Sequence, residues 1–248
     1  MRMTMHICVL TLAAAVATQI VFAGNGDSPM TIDFQGEQLH GELVFQDDFE
    51  DMDEWDNLTP NTQWEVRDGE LVGVWGPGGS TIWSKPAFSG DLYIRFRGRL
   101  LEPKDEWRTE KMPDGGKNFN FRFLVSGPDG VDIREVFREL AEEGTGPNRT
   151  GDDQYEGYFF TWTWRHARLR RSPGYENVSE NREYLPQIGQ THTIEICKQG
   201  GRIRQVCDGH LMHDYADPEP FNSGRIGFTL WHSILAVDCI EVFQLATD

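Results

Sequence analysis

The chain is short of cysteine, short of cations, and has no long apolar run after its first two dozen residues. Of its four cysteines, Cys8 lies in the N-terminal apolar stretch and only Cys197, Cys207 and Cys239 remain beyond it. Three thiols allow at most one bridge, so the fold does not rest on a disulfide framework. Cys197 and Cys207 flank a tight turn at Gly200-Gly201, which puts them on opposite faces and out of register. Buried free thiols are expected, and the spacing matches no zinc pattern. Lys and Arg number 23 against 40 Asp and Glu, a formal charge of −17, so nucleic acid and anionic membrane surfaces are poor partners for the chain as a whole. No later stretch approaches the roughly 18 uninterrupted apolar residues that span a bilayer, so no membrane insertion is expected. There is no internal repeat and no low-complexity tract.

What is present begins with a targeting signature. Arg2 precedes an apolar run from Ile7 to Val21, and Val21-Phe22-Ala23 offers small residues where an export peptidase cuts. Residues 1–23 are therefore expected to be a signal peptide, and the mature protein to work in the periplasm or outside the cell. Removing Arg2 takes the charge from −17 to −18. Residues 24–41 are polar, carry Gly and Ser, and are expected to be a flexible lead-in. Residues 42–248 are enough for one domain with a sizeable core, expected to act as a monomer.

Short alternating runs punctuated by turns fill that domain. Trp64-Glu65-Val66 leads into Asp68-Gly69, a strong hairpin signal, answered by Leu71 to Trp75. Asp91 to Leu100 sets Leu92, Ile94 and Phe96 against Tyr93, Arg95 and Arg97. Asn118 to Val125 sets Phe119, Phe121, Phe123 and Val125 against Asn118, Asn120, Arg122 and Leu124, so the phenylalanine side reads as core. Further strands are expected at 191–197, 202–207, 225–232 and 236–245. One helix interrupts them: Ile133, Val136, Phe137 and Leu140 recur at helical spacing, with Asp132 placed to cap the start. With the loop after it, this helix is placed to be a wall over a site or an insertion on the sheet rim. Many short strands and one helix argue for an all-β, antiparallel β-sandwich with one short helical insertion.

The segment Tyr158–Arg171, YFFTWTWRHARLRR, carries the functional signal. Read as one strand, it puts Phe160, Trp162, Trp164, His166, Arg168 and Arg170 on one face. Flat rings beside guanidinium and imidazole donors are what a sugar needs: a platform for its apolar face and partners for hydroxyls or carboxylates. The same pattern also fits a half-buried strand with snorkelling arginines.

In their order along the chain, Trp64-x-Val66-x-Asp68-Gly69-x-Leu71, Asn118-Phe-Asn-Phe-Arg122 and Gly224-Arg-Ile-Gly-Phe228 resemble the concanavalin A-like or laminin G-like jelly rolls. Two exported bacterial branches are similar, the 3-keto-disaccharide hydrolase-like domains and the YesU-like family associated with pectin-type polysaccharide use. The segment from Tyr155 to Thr161, then His166-Ala-Arg-Leu-Arg170 and Ser172-Pro-Gly174, is more like the YesU-like branch. Val206-Cys207-Asp208-Gly209 departs from the hydrolase branch, which commonly has asparagine before the glycine. The resemblance implies an exported carbohydrate-active protein, a glycoside hydrolase or lyase acting on a saccharide, or a non-catalytic carbohydrate-binding module of the same shape.

Glycosidases usually use two carboxylates, and the Glu-x-Asp-x-x-Glu strand of retaining glucanases on this fold is absent. A neutral His166 instead offers a base for an acidic proton beside a carbonyl, with Arg168 or Arg170 holding the negative charge. The candidate catalytic residues are thus His166, Arg168 and Glu156. The candidate sugar-binding residues are Asn118, Asn120, Arg122, Trp162, Trp164, Arg170 and Trp231. No cofactor is required by this chemistry. The acidic run Asp47 to Asp51 has hard oxygen ligands of the kind that hold structural calcium, but not the spacing of an EF-hand.

Overall fold

The computed structural model describes residues 29–58, 61–76, 81–113, 115–142 and 155–246. In chain order the strands are β1 (Met30–Phe34), β2 (Glu37–Asp47), β3 (Trp55–Asn57), β4 (Gln63–Arg67), β5 (Glu70–Val74), β6 (Thr81–Ser84), β7 (Phe88–Ser89), β8 (Leu92–Leu101) and β9 (Asn118–Ser126). After helix α1 (Ile133–Glu142) come β10 (Glu156–Thr163), β11 (Ala167–Ser172), β12 (Glu176–Asn181), β13 (Thr191–Gln199), β14 (Arg202–Cys207), β15 (His210–Ala216), β16 (Ser223–Thr229) and β17 (Ile234–Leu245). They form two antiparallel sheets. The first runs β1-β2-β17-β8-β13-β14-β15, with β5 and then β4 joined to β17. The second runs β12-β11-β10-β9-β16-β6-β3, with β7 on β16. The architecture is an all-β jelly-roll sandwich with a single short helix among the described residues.

Alternation decides what lies between the sheets. Leu92, Ile94 and Phe96 of β8 meet Phe119, Phe121 and Phe123 of β9 and Phe228 of β16 in the main core. The Phe96 and Phe121 rings lie 4.7 Å apart. On the outside of β8, Arg95, Arg97 and Arg99 pair with Glu241, Asp238 and Glu70. The expected turns form as read: Asp68-Gly69 and Asp208-Gly209 both take positive φ and link directly paired strands. Cys207 faces the main core and Cys197 the opposite side of its sheet, and both are free thiols.

Three elements differ from the sequence reading. First, Tyr158–Arg171 is a hairpin, β10 and β11, and not one strand. The turn lacks Gly, Pro, Asn and Asp. Thr163 makes it: its Oγ1 accepts from the backbone N–H of Arg165 at 3.2 Å and of His166 at 3.3 Å, an ST-turn. Second, the part of the expected lead-in from Met30 to Gly41 is ordered as β1 and the start of β2. This hairpin packs Phe34 and Leu39 on Tyr93, Cys197, Val206, Phe243 and Leu245, a second small core on the outer side of the first sheet. Arg204 pairs with Glu37 at 2.5 Å to fasten it. Third, β9 bulges at Leu124, whose φ is +51. Beyond the bulge the faces exchange: Leu124 joins the main core and Val125 turns outward. Gly157 and Gly224 flank the bulge because a Cβ at either would strike the Leu124–Val125 backbone within 3 Å.

Helix α1 forms where expected. Asp132 Oδ1 accepts the Arg134 N–H at 3.0 Å as a cap. Ile133 and Phe137 pack with Tyr155, Val125 and Trp83 on the outer face of the second sheet. Arg225 on Asp132 at 2.5 Å and Arg134 on Asp56 at 2.8 Å tie the helix to that sheet. The expected leader and the loop after the helix lie outside the described residues.

Candidate functional site

Residues directly opposite on neighbouring strands share a face, so the pairings of the second sheet define its outer surface as rows. One row runs Thr81, Thr229, Asn120, Thr161, Arg168, Glu180 across six strands. The next runs Trp83, Gly227, Arg122, Phe159, Arg170. The third holds Asn118 and Thr163, which lead into the turns that carry Trp164, His166 and Trp231. Short side chains thus fill the middle of the first row, with long ones on either side. On this register three hydroxyls and one amide, each less than 10% exposed, form the floor of a trough between rows of longer side chains. Gly227 helps shape it: a Cβ there would come within 2.8 Å of the Trp83 ring.

The floor is internally bonded. Thr81 and Thr229 hydroxyls lie 2.9 Å apart, and Arg122 Nε donates to Thr229 Oγ1 at 3.1 Å. Arg170 Nη1 donates to Thr161 Oγ1 at 2.6 Å. Asn120 Nδ2 donates to Asn118 Oδ1 at 2.5 Å, while Asn118 Nδ2 donates to the Trp231 carbonyl at 2.6 Å. Ser233 Oγ adds a bond to Asn118 Oδ1 at 3.3 Å. This relay fixes the loop that presents Trp231. The Trp231 and Trp164 rings are parallel within 8°, with centroids 6.4 Å apart, and Trp231 is 44% exposed. At the other wall, Arg122 lies 4.0 Å over the Phe159 ring and 4.6 Å over the Tyr155 ring, and Arg170 lies 4.4 Å over Tyr175.

Electrostatics follow from these neighbours. Burial, then Arg168 and Arg170, push the His166 imidazole down to about 4, so it is neutral at pH 7. Glu180 is lowered to about 2 by hydrogen bonds from Arg168 and Arg182. Hydrogen bonds from Arg225 and Arg134 hold Asp132 far below the usual carboxylate range. Asp56, Asp132 and Glu180 on this face each sit against a guanidinium.

Asn118, Asn120, Arg122, Trp164, His166, Arg168, Arg170 and Trp231 come together around the trough or at its end. Trp162 does not. It is fully buried in the main core, its ring 5.5 Å from Phe119 and its Nε1 donating to the Tyr184 carbonyl at 2.9 Å. Phe160 is sealed beside it. The reason is the turn at Thr163, which breaks the single alternation and moves Arg168 and Arg170 to the face opposite Trp162. Glu156 also stands apart from His166 and Arg168. It pairs with Ser126, five residues from the Thr161–Arg168 pair, about 16 Å along the strand. The sequence reading missed Thr81, Thr229, Thr161 and Phe159. Thr161 and Phe159 were assigned to the wrong side by the same turn.

Among the described residues no three His, Cys, Asp or Glu side chains converge as a metal site. In the acidic run, Asp47 already accepts the Phe49 N–H at 2.8 Å and Trp55 Nε1–H at 2.7 Å, holding its own turn. No described helix is long and apolar enough to cross a membrane.

No family model and no curated protein matches the chain. Solved structures do. A protein of unknown function with a galectin-like fold from Bacillus subtilis superposes with a TM-score of 0.66 at 14% identity, covering 83% of this chain and 97% of that one. The fold is a lectin-like jelly roll. The carbohydrate binding module CBM66 from Bacillus subtilis has a TM-score of 0.53 at 15% identity, covering 77% and 96% of the two chains. SCLam, a non-specific endo-β-1,3(4)-glucanase from family GH16, has a TM-score of 0.53 at 15% identity, covering 89% and 96%. Binding modules and hydrolases both occur on this jelly roll, so the fold alone does not choose between them.

Proposed function

We propose that the protein binds a saccharide in the trough of the second sheet. One observation carries this reading: a floor of Thr81, Thr229, Asn120 and Thr161 lies between the parallel Trp164–Trp231 indoles and the Arg122–Arg170 wall. Hydroxyls and amides serve sugar hydroxyls, and exposed indoles stack on the apolar face of a pyranose. The parentage is that of the YesU-like or 3-keto-disaccharide hydrolase-like domains, on the motifs quoted above. The reading also takes the apolar N-terminus as an export leader; N-terminal sequencing of secreted protein beginning near Gly24 supports it, and retention of Arg2 overturns it.

Binding without turnover is the favoured form. An imidazole that protonates only near pH 4 is a poor general base at neutral pH, because efficient proton transfer needs a pKa near the working pH. Asp56, Asp132 and Glu180 are held by arginines, and Glu156 is distant. The second reading, a hydrolase or lyase, rests on His166 lying beside Arg168 and Arg170. A glycan array followed by product analysis on the hits separates the two. Retained, uncleaved glycans are expected. New reducing ends or unsaturated products that disappear in His166→Ala would establish the enzyme instead, and an array with no glycan bound would overturn both.

A further inference from the structure

Resting on the saccharide reading of the trough, we infer that its ligand is an acidic sugar and that Arg122 reads the carboxylate or sulfate it carries. The inference starts from one atom. Arg122 Nη1 is buried and has no hydrogen-bond partner in the protein. A buried guanidinium N–H left unpaired costs more than a neutral donor would, and such groups are rare in native proteins. The rest of the side chain is placed with care. Nε is bonded to Thr229, and the guanidinium is flanked by the rings of Phe159 and Tyr155. Those rings offer faces and no strong acceptor, so the position is built for a cation whose acceptor comes from outside.

The neighbours fit the same occupant. Arg168 is already engaged by Glu180 at 2.6 Å, and the nearby Asp56 and Asp132 are engaged by Arg134 and Arg225. Among the described residues no carboxylate pairs with Arg122, which lies in the row directly beside the hydroxyl floor. In a chain with 40 acidic and 23 basic residues, this cationic wall stands against the overall charge. A planar carboxylate or a sulfate matches the guanidinium fork, and aromatic walls strengthen the contact by excluding water.

The test uses the full mature protein and three oligosaccharides of one backbone: neutral, uronate and sulfated. Calorimetry is expected to show at least one acidic member binding about tenfold or more tighter than the neutral one. That advantage should shrink as salt rises, because screening acts only on the charged contact. Which acidic member wins identifies the group. Arg122→Gln should abolish the advantage, so that acidic and neutral members bind alike, and Arg122→Lys should restore part of it, since charge returns without the fork. Equal affinity for neutral and acidic members in the parent protein overturns the inference and leaves the saccharide reading standing. Absence of binding to all three sinks the saccharide reading and this inference together. The comparison in the parent protein needs no variant, so a misfolded substitution does not blunt it.

Discussion

Trp162 and Trp164 are two residues apart and have opposite environments. Trp162 fills the space between the sheets, in contact with Phe119, Tyr184 and His192. Trp164 stands in the turn beyond it, paired with exposed Trp231. Their alanine variants should therefore separate stability from binding. Trp162→Ala should lower unfolding free energy by about 3–5 kcal/mol through cavity formation. Trp164→Ala should weaken sugar binding by about 1–3 kcal/mol with little change in melting temperature. Denaturant unfolding and calorimetry on both variants check the pair; a stable Trp162→Ala protein, or unaltered sugar affinity in Trp164→Ala, would contradict the assignment. Sequence alternation alone placed both rings on one face. It could not reveal the turn, because an ST-turn made by Thr163 carries none of the usual punctuation.

At the scale of elements, the sandwich closes where β12 of one sheet meets β15 of the other. His213 lies at that seam, 2% exposed, with Ser179 Oγ 2.9 Å from Nδ1 and with Nε2 unpartnered. Burial alone pushes its imidazole from 6.5 down to about 4. The folded form thus holds His213 neutral while the unfolded chain protonates it below pH 6.5. Stability from this group is complete above pH 6.5 and is lost as pH falls from there through about 4, by on the order of a few kcal/mol. Denaturant unfolding at pH 7.5 and 4.5 should show a smaller loss for His213→Gln than for the parent protein. Equal losses would place the acid sensitivity elsewhere. Helix α1 is the element whose position the sequence left open. The structure seats it on Trp83 and Val125 over the outer face of the second sheet.

Across the whole molecule, the N-terminal hairpin is a structural member of the domain. Phe34 is 1% exposed and sits edge-on to Tyr93 at 5.9 Å, covering the outer side of the first sheet. Phe34→Ala should cost about 3–5 kcal/mol, and in a chain of this size each lost kcal/mol lowers the melting temperature by about 2–4 °C. Thermal unfolding of that variant indistinguishable from the parent would show the strap to be dispensable. The sequence by itself determined the all-β class, the turns at Asp68-Gly69 and Asp208-Gly209, the capped helix, the free thiols and the phenylalanine face of β9, because each is a local pattern with a local cause. Only the tertiary structure decided which rings are core, which cations line the trough, and that Leu124 and Val125 exchange sides. A single turn or bulge shifts every later side chain of a strand to the other face, and pairing with distant strands such as β16 and β6 then sets the neighbours that periodicity cannot supply.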